Sequence, residues 1–134
     1  MVWTRFMDMS SGGGRKEDFA KLYIEAPEDE AKVIFYNRFG HNPERVTCTC
    51  CGEDYSIDGR EDSLEKASEW DRKKGWGDDA EIVPLDQWLS DGIDLNGFTY
   101  TDGSRDKICV IYAKDIKPEE RKGGIPEQGY VWVD

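Results

Sequence analysis

The residues best suited to chemistry in this 134-residue chain are four cysteines and a single histidine. Three of the cysteines cluster in Val46-Thr47-Cys48-Thr49-Cys50-Cys51-Gly52, which contains C-x-x-C-G with Cys48 and Cys51 as the pair. That spacing lets two thiolates converge on one ion at about 2.3 Å, and the following glycine permits the tight turn that brings backbone N–H groups toward the sulfurs. It is half a zinc site. No second C-x-x-C or H-x-x-H completes it, so the other ligands have to come from His41, from Cys50 inside the knuckle, from Cys109 or from a carboxylate such as Asp8. The expected set is Cys48, Cys50, Cys51 and His41 around a structural Zn2+, with Asp8 and Cys109 as alternatives and Cys109 read first as a core residue. Buried or reduced thiols are the plain alternative. A redox pair fits less well, because Glu53 and Asp54 follow the motif and raise a thiol pKa where a helix N-terminus would lower it.

Motifs of catalysis are missing. A catalytic zinc needs an open position and a general base, usually seen as H-E-x-x-H or as H-x-E with P-C-x-x-C, and neither occurs. The nucleophile elbow, the P-loop and the dinucleotide fingerprint are absent too. Ser11-Gly12-Gly13-Gly14-Arg15-Lys16 has the composition of an anion cradle, but a hairpin loop is the simpler reading. No catalytic residue is assigned and an enzyme is not expected.

Charge points instead to a protein partner. Acidic residues number 29 against 18 basic, a formal net charge of −11 with a pI near 4.6. Phosphate neutralisation requires the opposite sign, so direct binding to nucleic acid is not expected, nor binding to an anionic membrane. Between Glu53 and Glu81 acidic residues outnumber basic ones by about two to one. Such a run is ordinarily a solvated helix face. It also has the character of a ligand for a basic groove, with Glu65, Glu69 and Asp71 as the contacts and Trp70, Trp76 and Trp88 as exposed anchors.

The elements that position these residues follow from periodicity. Val2 to Met7 alternates as a strand covered on both faces, the glycines end it, and Phe19 to Glu25 returns as the second arm of a long-looped hairpin. Pro27 and the acidic run Glu28-Asp29-Glu30 start a helix over Glu28 to Phe39 that Gly40 caps. Asp62 with Glu65 resembles a capping box and predicts a second helix from Ser63 to Lys74. Ile82-Val83 reads as a short strand and Leu85, Trp88 and Leu89 as one face of a short helix after Pro84. Phe98 to Tyr100 and Ile108 to Tyr112 read as a hairpin, with Cys109 and Ile111 on one face and Ile108, Val110 and Tyr112 on the other. Tyr130 to Val133 is the last strand. One domain of class α+β is expected, a mostly antiparallel sheet covered by one or two helices with a zinc-knuckle-like loop. The 12% aromatic content argues for a core of few but large side chains. With no apolar run near the roughly 18 residues of a membrane span, and no secretory signal at the N-terminus, the cytoplasm is the expected compartment.

Val2 to Met9, the glycine run, Ile24-Glu25-Ala26-Pro27 through Phe35 to Gly40, and above all T-C-T-C-C-G-E-D-Y from Thr47 to Tyr55 resemble a family of small phage-encoded proteins. The resemblance covers about the first 57 residues. The family pattern carries a histidine where Ser10 stands, and if that residue is a family metal ligand this chain lacks it. A phage origin implies inhibition of host defence, and in size and charge the chain resembles anti-CRISPR proteins. The implied partner is a CRISPR effector, an RNA-guided DNA nuclease whose positively charged channel an acidic ligand would block against DNA loading, in the host bacterial cytoplasm. A zinc-stabilised adaptor for a host transcription or replication protein stands beside this reading, and a small metal-dependent enzyme behind it.

Overall fold

The computed structural model describes residues 2–7, 19–40, 42–48, 56–74, 81–92, 107–126 and 131–133, with the backbone alone at 20, 46–48, 74 and 131–133. Strand β1 (Trp3–Met7) is the inner strand from which the main sheet is built. It pairs antiparallel with β2 (Phe19–Ile24) on one side, so the expected hairpin forms. The other flank pairs antiparallel with β4 (Ser56–Glu61). The order is β4-β1-β2-β7, with β7 (Lys107–Ile111) lying parallel to β2. A parallel pair requires a crossover rather than a tight turn, and the chain between β2 and β7 supplies it through helices. The class is α+β as expected, and the sheet is mixed. The arm expected at Phe98 to Tyr100 lies outside the described residues.

Side-chain alternation divides this sheet into two faces, and the register lines each up as a row. Ile57, Phe6, Leu22 and Cys109 stand opposite one another on four successive strands, and all four belong to one apolar cluster. Helix α1 (Glu28–Phe39) covers this face with Ala31, Ile34 and Phe35. Its start follows Pro27, whose fixed φ suits the residue before a first turn, and its end is Gly40 at φ 85°, a left-handed cap donating to the Tyr36 carbonyl. Phe6, Phe35, Phe39 and Phe19 form a chain of ring contacts at 4.7–5.3 Å between sheet and helix. The 3-10 turn Pro118–Arg121 straps the helix, Arg38 Nε reaching Glu120 at 2.8 Å and Arg121 reaching Glu30 at 2.7 Å. Donation from the Lys117 backbone N–H, with Arg38 beside it, holds the Glu120 carboxyl below its ordinary range.

The opposite face carries Trp3, Tyr23, Ile108 and Val110, packed with Tyr112 against α2 (Leu64–Ser68) and α3 (Leu85–Asp91). Cys109 and Ile111 thus share one face and Ile108 and Val110 the other, as alternation predicts. Two smaller pairings complete the described structure. The antiparallel pair β5 (Lys73–Lys74) and β6 (Glu81–Ile82) leads into α3. Strand β3 (Val46–Cys48) lies parallel to β8 (Val131–Val133), with Cys48 opposite Val133.

Helix α2 is shorter than expected and capped one residue later. Ser63, not Asp62, is the N-cap, its Oγ accepting from the Lys66 N–H at 3.2 Å, which is the reach of a cap side chain to the third helical residue. After Ser68 the chain continues as turns, the Arg72 N–H donating to the Ser68 carbonyl at 3.0 Å, and the Arg72 carbonyl then accepts from the Val83 N–H at 2.9 Å, which joins this segment to the residue after β6.

Gly59 marks the closest approach of β4 to α1. A Cβ there would lie 2.8 Å from Glu28 Cβ and 3.1 Å from Thr4 Oγ1, the hydroxyl that donates to the buried Ala26 carbonyl. Gly59→Ala is expected to lower stability by about 1–3 kcal/mol through overpacking, read as a shift in the urea midpoint at unchanged slope. An unshifted midpoint would show that β4 and α1 are free to part.

Candidate functional site

The turn after α2 sends two consecutive charged side chains inward. Asp71 is 2% exposed, and the Arg5 guanidinium grips it as a fork, Nε to Oδ2 at 2.9 Å and Nη2 to Oδ1 at 2.6 Å. The Tyr23 hydroxyl also donates to Oδ2, and Lys21 Nζ stands 3.8 Å from Oδ1. Arg5 and Tyr23 are cross-strand partners of β1 and β2, and Lys21 lies two residues from Tyr23, so the register of the sheet presents all three donors together. Burial and the Asp71 charge push the Tyr23 phenol far above its ordinary range, which keeps it a donor. The Arg5 guanidinium, although burial opposes its charge, is held above its usual value by Asp71.

Arg72 is buried as well and points to different acceptors. Its Nε donates to Ser68 Oγ at 2.9 Å, Nη1 to the Val83 carbonyl at 2.8 Å and Nη2 to the Glu65 carbonyl at 2.7 Å. The end of α2 and the approach to α3 are thereby tied through one guanidinium. With Asp71 and Arg72 locked inside, Glu69 and Trp70 stand outside.

Trp70 is 64% exposed and Ile82 42%, the two exposed large hydrophobic side chains among the described residues. A depression of about 250 Å3 is walled by Trp70, Ala67, Lys66 and Glu69 together with Arg5, Asp58, Glu61 and Lys73. A second, of about 400 Å3, is formed by Ile82, Ser63, Glu65, Lys66, Glu69 and Arg72. Lys66 and Glu69 are common to both, so one continuous surface runs from Trp70 across α2 to Ile82. Lys73 Nζ lies 4.6 Å from the centre of the Trp70 ring. The Asp58 carboxyl is held below its usual range by the two-point contact with Arg60.

Glu65 and Glu69 are exposed on this surface, and Trp70 with them. Asp71 departs from its expected place as a partner contact: it lies on the same buried side as Leu64, Ala67 and Ser68, where Arg5 and Tyr23 hold it. Trp88 departs likewise, at 1% exposed and packed edge-on against Tyr23 at 5.6 Å. Trp76 lies outside the described residues. So do His41, Cys50, Cys51 and Asp8; of Cys48 the backbone alone is described, as the last residue of β3. Among the described residues no group of three His, Cys, Asp or Glu is placed to hold a metal ion, and the expected set lies almost wholly outside them. Cys109 is a half-buried free thiol in the face under α1, its pKa raised by burial against the opposing charge of Arg38. A separate open depression, of about 680 Å3, lies beside it between Phe39, Lys117 and Glu119. Ile82 and Lys73 were not singled out by the sequence; the three-residue spacing of Trp70 and Lys73 was the available signal for the second. Among the described residues no helix is long and apolar enough to cross a membrane.

No family model, curated protein or solved structure matches the chain. The likeness to small phage proteins rests on the quoted residues alone.

Breaking a buried pair strands the surviving charge, so Asp71→Ala is expected to cost about 3 kcal/mol or more, whereas Glu69→Gln stays within about 0.5 kcal/mol. Urea unfolding followed by tryptophan fluorescence checks both, and equal small losses would place Asp71 in solvent after all.

Proposed function

We propose that the protein acts by binding another protein through the surface around α2, and that its partner is a host nucleic-acid enzyme with a basic groove. The observation that carries this reading is the placement of Trp70 and Ile82, the exposed large apolar side chains among the described residues, on either side of the exposed carboxylates Glu65 and Glu69. An aromatic anchor beside carboxylates suits recognition of a basic surface, where the anchor supplies contact area and the charges speed encounter and fix register. The resemblance to phage proteins narrows the partner to an RNA-guided DNA nuclease, whose positively charged channel would be closed to DNA by an acidic ligand. On this reading the chain is an inhibitor without catalysis of its own.

Reversing Glu65 and Glu69 together to lysine is expected to weaken inhibition of target-DNA cleavage at least ten-fold while the thermal midpoint is kept. The measurement is cleavage by purified nuclease preincubated with each variant, with co-elution as a second readout. Inhibition unchanged by the reversal would remove this face from the interface. Absence of binding to any RNA-guided nuclease tested would leave the adaptor for a transcription or replication protein as the reading to pursue.

A structural zinc belongs to the same proposal. Three thiols and an imidazole, Cys48, Cys50, Cys51 and His41, are the donor types that zinc takes. The metal would tie the segment after β3 together, its binding free energy acting as folding free energy, and it would take part in no reaction step. Elemental analysis of protein purified without chelator is expected to find stoichiometric zinc, lost in the Cys48→Ser, Cys51→Ser double variant. No metal in either protein would make these cysteines ordinary thiols.

A further inference from the structure

The cation on the Trp70 ring shows what that ring accepts. Trp70 is largely exposed, yet one face is occupied by Lys73 Nζ at 4.6 Å from the ring centre, within the distance at which the π-system attracts a cation. The depression beside it is bordered by the carboxylates of Asp58, Glu61 and Glu69. Arg5 also reaches this wall, but its guanidinium is committed to Asp71 through two hydrogen bonds. Asp58 is similarly engaged by Arg60, so Glu61 and Glu69 remain the wall's carboxylates for an incoming cation. An indole face flanked by carboxylates is the chemistry that recognises an arginine side chain, whose flat, weakly hydrated guanidinium both stacks and pairs with carboxylate.

Resting on the binding role argued above, we propose that Trp70 is the anchor of the interface and takes an arginine of the partner in exchange for Lys73. Lys73 is a placeholder: it covers the ring in the free protein and swings to solvent when the guanidinium arrives. The exchange swaps one cation–π contact for another, and the net gain is the pairing of the guanidinium with Glu61 and Glu69. Lysine on a flexible stem suits the resting role, since it leaves readily and lacks the fork needed to engage two carboxylates at once.

The test uses the full chain, labelled with nitrogen-15, and an acetylated, amidated tetra-arginine peptide as probe. The Trp70 indole N–H signal is identified by its loss in Trp70→Phe. On titration that signal is expected to move saturably. Lys73→Ala, which frees the ring, is expected to tighten the peptide about two- to five-fold, the worth of an exposed cation–π contact. Lys66→Ala removes the same charge from the same wall and leaves the ring covered, so it should tighten binding less. Glu61→Gln with Glu69→Gln should weaken it. Backbone shifts along α2 with a stationary Trp70 indole signal would overturn the anchor and leave the acidic-face reading standing. Equal tightening by Lys73→Ala and Lys66→Ala would overturn the exchange, because charge alone would then explain it. A spectrum without any shift would overturn both readings.

Discussion

A carboxylate removed from water must recover in hydrogen bonds what it loses in hydration, and the burial of Asp71 imposes that requirement on much of this structure. The Arg5 fork, the Tyr23 hydroxyl and the Lys21 ammonium satisfy it from two adjacent strands. The requirement is geometric as much as energetic. Arg5 and Tyr23 meet the same carboxylate only because they are paired across β1 and β2, so a slip of one residue would send one of them to the face under α1. The ion pair therefore marks the register of the hairpin and the position of the turn after α2 at once.

Much of the fold was legible because its signals are local. Period-two alternation gave β1, β2 and the two faces of β7, and Pro27, the acidic first turn and Gly40 gave α1 to its observed bounds. What failed was the helix from Ser63 to Lys74. Its leucine, alanine and tryptophan spacing is helical, and nothing local says that Arg72 will hand its carbonyl to Val83 and bend the chain away. A second misreading lies in the same segment. Asp71 stands seven residues after Leu64, on the stripe that a helix would bury, yet a carboxylate there reads as a surface charge until its partner Arg5, 66 positions away, is known. Trp88 was misjudged for a related reason: a tryptophan in an acidic stretch reads as exposed until Tyr23 is known to lie against it.

The parallel pairing of β2 with β7 was not legible either. Parallel neighbours are brought together by everything between them, here the crossover from Ile24 to Lys107, and no turn signal announces them. The same holds for β3 and β8, where the strand ending in Cys48 meets the C-terminal strand with Cys48 opposite Val133. The backbone of the first expected zinc ligand is therefore held by a segment remote in sequence. Any ordering of the cysteine segment by metal would act on a strand that already has one fixed neighbour, which reduces the chain entropy the metal has to overcome.

Asp71 and Arg72, adjacent in the chain, are drawn in opposite directions, one to the sheet and the other to α2 and Val83. A turn held at two consecutive residues has little freedom left, and the residues before it, Glu69 and Trp70, inherit that restraint in their backbone. Ordering of a binding loop ordinarily opposes association, so a surface whose scaffold is already fixed would lose less on meeting a partner of the kind proposed above. Lys73 Nζ rests on the Trp70 ring at the edge of this scaffold. The buried polar network thus holds this surface in place: Asp71 and Arg72 are bonded inside, and the turn they restrain presents the Trp70 ring and the Glu69 carboxylate outward.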